Sequence, residues 1–376
     1  METRKLYYQN GMLRDFSAQV LDCREENGRF RVILNATAFY PEGGGQACDV
    51  GVLGDVRVLD VQEIDGEIVH FCDKPLAVNA RVNGSIDWER RFDLMQQHTG
   101  EHIVSGIVHK RFGYHNVGFH MGSDVVTIDF DGEISWEALR EIEEEANKAV
   151  WANIPVRCTV PGEKALPHIP YRTKRELPWP VRIVEIPLVD SCACCGVHVD
   201  HTGQIGLIKL YSCVKFHQGV RIEMACGQRA YNYVNQIVEQ NRSISHLLSA
   251  RMPETAQAVE TLQKTLQQEK FRTTALERRL YDAVAEGYRG VTRPLHFEET
   301  GNVRDLAERI QKVCGGAIVC AGSDENGYTV CILCEDARGI GTQAAKALNG
   351  RGGGKENAYQ GLFQASRTQI EAYFGQ

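Results

Sequence analysis

A chain of 376 residues is too long for one ordinary hydrophobic core and predicts two to four units, and 43% apolar with 24% charged content is globular and soluble. No apolar run reaches membrane length and the opening METRKLYYQN has no apolar signal segment, which argues against a spanning or secreted protein and predicts the cytoplasm. A net charge of −7 argues mildly against nucleic-acid binding by bulk charge, and thirteen scattered cysteines suit reduced thiols better than a disulfide framework.

Residues 1–86 alternate apolar and polar side chains in short runs broken by glycine and aspartate, as in FRVILNATAFYPEGGGQACDVGVL and VRVLDVQEIDGEIVHF. Such runs predict a small β-barrel. At Asp87 the period changes. Asp87 is placed to cap a helix through WERRFDLMQQHTGEHIVSGIVHKRF that Gly113 ends, with Phe92, Met95, Ile103 and Ile107 near one face and Glu101 facing solvent. DVVTIDF then reads as a strand, Ser135 caps WEALREIEEEANKAVWAN as a second helix, and VRIVEIPL and IGLIKLYSCVKF return to strands. Residues 87–228 therefore form an α+β unit.

From 229 to 290 the pattern is helical and polar, divided by Pro253. Val259, Leu262, Leu266, Thr273, Leu276 and Leu280, with Glu269 at the remaining position, mark a seam expected to pack within a helical hairpin, with homodimerisation as its second use. Residues 291–376 alternate helices and strands around a glycine-rich loop in NGRGGGKENAYQGLF, a small α/β domain. The two cysteines of CILC, Cys331 and Cys334, read as core packing. The whole is an α+β multidomain chain.

The chemistry concentrates in two short stretches. His98 and His102 lie four apart on one helix, so they project from one face and can grip a single ion. HTGEH is not the metalloprotease order, in which glutamate directly follows the first histidine. In SCACCGVHVDHTGQIG, Cys194 and His198 repeat the same gap around Gly196. Three histidines and a thiolate suit one Zn²⁺ per chain better than magnesium or calcium. Gly43, Gly44 and Gly45 in TAFYPEGGGQ let the backbone approach a ligand, and Gln46 is placed to orient water or an ester.

HTGEH, CCGVH followed by TGQIG, TAFYPEGGGQ and GVRIEMACGQRA together resemble the editing domain of alanyl-tRNA synthetase and the AlaX proteins. NGRGGGKENAYQGLF is similar to the DHH-associated domain that ends those synthetases. The resemblance implies zinc-dependent hydrolysis of tRNA(Ala) charged with serine or glycine. It also implies that Thr37 reads the serine hydroxyl. The aminoacylation domain has no room ahead of the β-rich unit, so the reaction is expected in trans. Cys195 stands where the family has glycine, which leaves Cys192 and Cys195 as alternative thiolates beside Cys194.

For tRNA the basic stretches are YRTKRELPWPVR and GRGGGK, with Arg351, Gly352, Gly353, Gly354 and Lys355 as a phosphate cradle. Two rivals remain: a zinc-stabilised RNA-binding module that kept the fold without catalysis, and a DHH-type phosphodiesterase, against which the missing Asp-His-His signature counts.

Overall fold

The computed structural model describes residues 3–173, 177 and 179–375. The fold is mixed α+β and falls into two compact units, Met1–Asn241 and Arg242–Gln376.

In the first unit six strands lead: β1 (Asp15–Glu26), β2 (Arg29–Leu34), β3 (Gly51–Leu53), β4 (Val56–Ile64), β5 (Glu67–Cys72) and β6 (Arg81–Ile86). Their pairings run β1-β2-β5-β4-β3-β6 and return from β6 to β1, closing the ring. Alternation predicts what fills it. Val20, Val32, Leu34, Leu53, Val58, Val61 and Ile68 point inward and are almost wholly buried.

Asp87 then caps α1 (Trp88–Phe112), its side chain accepting from the Arg90 amide, and Gly113 ends it in the left-handed conformation. Such a cap is worth about 1 kcal/mol. The helix is not one-faced. Every residue from Leu94 to Val108 is buried, because α2 (Trp136–Trp151) and strands pack around it. Its polar side chains survive there by finding partners: Gln97 bonds the Cys226 carbonyl and amide at 3.0 and 2.7 Å, and Gln96 donates to the Gln204 carbonyl at 2.8 Å.

Around α1 lie β7 (Asn116–Met121), β8 (Val126–Phe130), β9 (Arg157–Thr159), β10 (Ile183–Ile186), β11 (Asp190–Ala193), β12 (Ile208–Phe216) and β13 (Gly219–Cys226). They form a four-stranded sheet in the order β12-β13-β8-β7 and a three-stranded one, β9-β10-β11. Ser135 caps α2, which buries Leu139, Ile142, Ala146 and Val150.

Helix α3 (Gly227–Leu248) follows, then a turn at Met252–Glu254, where Pro253 divides the helical stretch, and α4 (Thr255–Gly287). The seam on α4 corrects the sequence expectation. Val259, Leu262, Leu266, Leu276 and Leu280 are 39–57% exposed, and only Tyr281 and Ala285 near its end are buried. A regular apolar stripe specifies a packing face without specifying what packs on it.

The second unit is built on a sheet of β14 (Leu295–Glu298), β15 (Ala317–Ser323), β16 (Gly327–Leu333), β17 (Gly350–Lys355) and β18 (Ala358–Phe363), ordered β14-β15-β16-β18-β17. Helix α5 (Val303–Cys314) packs with Val319, Cys331 and Leu333 on one face, and α6 (Ala337–Ala347) packs with Val330, Ile332 and Tyr359 on the other. Cys331 and Cys334 are both buried, as core residues. GRGGGK is not a loop. It is the edge strand β17, paired along its length with β18, and Arg351, Gly352, Gly353, Gly354 and Lys355 are all exposed on it. Side chains of the neighbouring strand do the packing: a Cβ on Gly352 would meet the Tyr359 hydroxyl at 2.5 Å.

Candidate metal centre

The turn of α1 that carries His98 and His102 faces the loop after β11, which carries Cys194 and His198. The four ligand atoms lie within 4.8 Å of one another, and all four residues are buried or nearly so. Cys194 Sγ is 3.4 Å from His98 Nε2 and 3.5 Å from His198 Nε2. A tetrahedral ion with bonds of about 2.0 Å to nitrogen and 2.3 Å to sulfur separates the sulfur from each nitrogen by about 3.5 Å. The donors fit such an ion. Gly196 is needed here for close approach: a Cβ on it would stand 2.2 Å from His98 Cε1.

What turns each Nε2 inward is the partner of its Nδ1. Gln46 Oε1 accepts from the Val197 amide at 3.2 Å, which fixes it as the oxygen, and it therefore accepts from His98 Nδ1 at 2.9 Å. Thr99 spends its hydroxyl proton on the Met95 carbonyl at 2.8 Å and accepts from His198 Nδ1 at 3.1 Å. Asp190 accepts from His102 Nδ1 at 3.0 Å and is itself gripped by Arg172 at 2.7 and 2.9 Å. Three imidazoles thus have a fixed tautomer with the Nε2 lone pair free for an ion.

The charges agree. Burial alone pushes the Cys194 thiol up, but the His98 and His102 rings beside it, together with its contacts to His102 and His198, hold it well below the ordinary thiol value. Burial, then the proximity of the His98 ring, lowers His198 to about 3 and keeps it neutral. His102 is opposed by burial yet raised well above its usual value by Cys194 and Asp190.

Gln46 is thus a positioning residue for His98. Replacing it by leucine keeps its bulk and removes the acceptor, and metal affinity is expected to fall about 10–100-fold in competition with a chelating dye while the circular dichroism spectrum is unchanged. Unchanged affinity would mean that His98 does not bind.

The His–Cys cluster opens onto a cavity of about 880 Å³. His98, His102 and Cys194 line it, and so do Gly44, Glu101 and Phe119. Gly43 and Gln46 exchange backbone hydrogen bonds at 3.0 Å, so the triple glycine is a turn, and that turn presents Gly44 to the cavity. A Cβ on Gly44 would meet Cys195 Sγ at 2.8 Å.

Thr37 is elsewhere. It is fully buried and outside the cavity lining, its hydroxyl 2.8 Å from His70 Nε2 and accepting from the Phe39 amide at 3.1 Å. That hydroxyl is engaged by the protein, so the placement lends no support to its reading a substrate. Cys195 belongs to neither metal-capable cluster, and Cys192 falls in a second one with His102 and Asp190, where Arg172 already neutralises the carboxylate.

Sequence reading missed Glu101, Thr99, Asp190 and the inward arginines. Glu101 is 5% exposed and lines the cavity, not solvent. Its signal was available, since a residue three after His98 lies only about 60° from it around a helix. In YRTKRELPWPVR, residues 174–176 and 178 lie outside the described residues; of the rest, Arg172 grips Asp190 and Arg182 donates to the Cys194 and Gly196 carbonyls at 2.9 and 2.8 Å. Both arginines build the site. Among the described residues no helix is long and apolar enough to cross a membrane.

Residues 7–90 match the family described as tRNA synthetases class II (A), and residues 181–223 match the threonyl and alanyl tRNA synthetase second additional domain. The chain is 29% identical over 391 residues to the alanyl-tRNA editing protein AlaX-L of Pyrococcus horikoshii, covering 97% of this chain and 96% of that protein. It is 30% identical over 361 residues to the alanyl-tRNA editing protein Aarsd1-A of Xenopus laevis, covering 91% and 87%. Against the alanine–tRNA ligase of Thermofilum pendens it is 33% identical over 390 residues, 97% of this chain but 43% of the ligase. The chain thus spans less than half of that ligase and most of the two editing proteins.

Proposed function

This chain belongs to the alanyl-tRNA editing proteins of AlaX type, and from that premise we propose that it deacylates tRNA(Ala) carrying serine or glycine by zinc-dependent ester hydrolysis. The observation that carries the proposal is the convergence of His98, His102, His198 and Cys194 at the wall of a cavity large enough for an aminoacylated terminal nucleotide. Serine differs from alanine by a hydroxyl and glycine by a missing methyl. A synthetic pocket separates such pairs by about 1–3 kcal/mol, too little for faithful translation, so a second hydrolytic site has a physical reason to exist.

The His-rich, one-thiolate set matches zinc, which when bound would polarise an ester carbonyl or a water molecule. The protein's own part is positioning. Gln46, Thr99 and Asp190 hold the imidazoles, and the Gly43–Gly45 turn brings backbone to the cavity wall. Water adds to the ester carbonyl, the bond to the ribose oxygen breaks, and the amino acid leaves with the tRNA 3′-end restored to a free hydroxyl. We read the closed six-stranded ring as a small barrel that anchors the Gly43–Gln46 turn against α1. The exposed edge strand with Arg351 and Lys355 is our proposed contact for tRNA phosphates, with the amides of Gly352 to Gly354 available along it.

Deacylation of seryl- and glycyl-tRNA(Ala) by the purified protein, with alanyl-tRNA(Ala) as control, tests the reading. Faster release of serine or glycine than of alanine is expected, and charge reversal at Arg351 and Lys355 should slow hydrolysis of whole tRNA but not of a minimal acylated adenosine. Hydrolysis no faster than the spontaneous rate, with zinc bound, would leave a zinc-stabilised RNA-binding module instead.

A further inference from the structure

We infer that the Glu101 carboxylate receives the α-ammonium group of the aminoacyl ester; this rests on the editing reading and names how that cavity holds its substrate. Glu101 immediately precedes the ligand His102 and lines the cavity at 5% exposure. One of its oxygens is held. Oε1 accepts from the Ser105 hydroxyl and from Asn116 Nδ2, the latter at 2.6 Å, and Asn116 Nδ2 also lies 3.2 Å from Ser105. Among the described residues no donor reaches Oε2, and no lysine, arginine or histidine pairs with this carboxylate.

The contrast with Asp190 is informative. Asp190, hydrogen-bonded to His102 Nδ1, is neutralised by Arg172. Glu101 has two neutral donors on one oxygen and no cation on either. A buried carboxylate left so is costly unless a positive charge arrives, and two fixed donors aim its free oxygen without neutralising it. The metal is not that charge, because no Glu101 oxygen belongs to the converging ligand set.

An aminoacyl ester brings one cationic group, the ammonium on the carbon next to the carbonyl that is attacked. Held at Glu101, it sets that carbonyl beside His102 and its neighbouring ligands. Serine, glycine and alanine share this group. The contact therefore positions aminoacyl esters as a class, and discrimination among them falls to other parts of the cavity.

Calorimetry on two non-hydrolysable ligands tests this: 3′-amino-3′-deoxyadenosine carrying serine in amide linkage, and the same compound with 2,3-dihydroxypropanoate, in which a neutral hydroxyl replaces the ammonium. The unsubstituted zinc-loaded protein should bind the seryl compound about 10–100-fold more tightly, the range of a charged hydrogen bond. Glu101→Gln should lose that preference, keep its zinc, and hold the hydroxyl compound within about threefold of its original affinity. Equal losses on both ligands, or loss of zinc, would show that Glu101 only supports His102 and would overturn the inference. If the variant does not fold, the unsubstituted protein still decides, since no preference between the ligands overturns it equally. Binding is read without turnover, so selective capture of the seryl compound by a protein that leaves seryl-tRNA(Ala) intact would sink the hydrolase reading alone.

Discussion

Replacing Cys194 by alanine is expected to empty the metal centre and lower seryl-tRNA(Ala) hydrolysis by more than a hundredfold. Cys194 is the sole thiolate in the converging set, and its sulfur lies within 3.5 Å of two imidazole nitrogens, so its loss removes the centre's fixed negative charge as well as one ligand. Partner groups behind ligands are already worth about 10–100-fold in affinity, and a ligand should exceed them. Folding is linked to the same site. An ion held at a thousandfold over its dissociation constant adds about 4 kcal/mol to stability, so chelation should lower the melting temperature of the unsubstituted protein and leave the Cys194→Ala variant unmoved. Cys192→Ala and Cys195→Ala should each keep about one zinc per chain by elemental analysis. Zinc retained by the Cys194 variant and lost from the Cys195 variant would shift the site by one residue.

The metal-capable cluster was legible because each pair of its residues is local. His98 and His102 are one helical turn apart, and Cys194 and His198 flank one glycine. Sequence could not show that Gln46, Thr99 and Asp190 would stand behind the imidazoles. Gln46 and Asp190 are brought there by contacts across 52 and 88 positions, and Thr99 reaches His198 across 99. Helix α1 was legible at both ends, where capping is set by adjacent residues, and misread in its middle. Glu101, expected to face solvent, is interior because Ser105 and Asn116 supply its hydrogen bonds, which the sequence pattern of the helix does not show. The edge strand β17 was misread for a related reason. Glycines carry no alternation, and their pairing is decided by the neighbouring strand.

Arg91→Met is expected to destabilise the first unit by about 3–5 kcal/mol, because it leaves a buried carboxylate without its counter-ion. Arg91 and Asp49 are both wholly inaccessible, with Arg91 Nε at 2.9 and 3.0 Å from the two carboxylate oxygens and Nη2 also on Oδ2. The remaining guanidinium donors reach the Gly11 and Ala38 carbonyls at 2.9 and 2.6 Å. One side chain of α1 thereby fixes three segments of chain. Asp49 also accepts from the Tyr40 amide at 2.6 Å, and the Tyr40 hydroxyl donates to the Gly43 carbonyl at 3.1 Å. Arg91 thus supports the turn that delivers Gly44 and Gln46. For a unit of this size the loss corresponds to a fall in melting temperature of about 10 °C. Metal affinity should weaken with it through Gln46. The double variant Arg91→Met with Asp49→Leu should recover a large part of the stability, since no charge then remains buried, but not the placement of Tyr40 and its turn. Thermal denaturation of the single and double variants, read beside zinc content, separates the two effects. A single variant that loses less than about 1 kcal/mol, or a double variant no more stable than the single, would show that the ion pair is not what holds α1 to the turn.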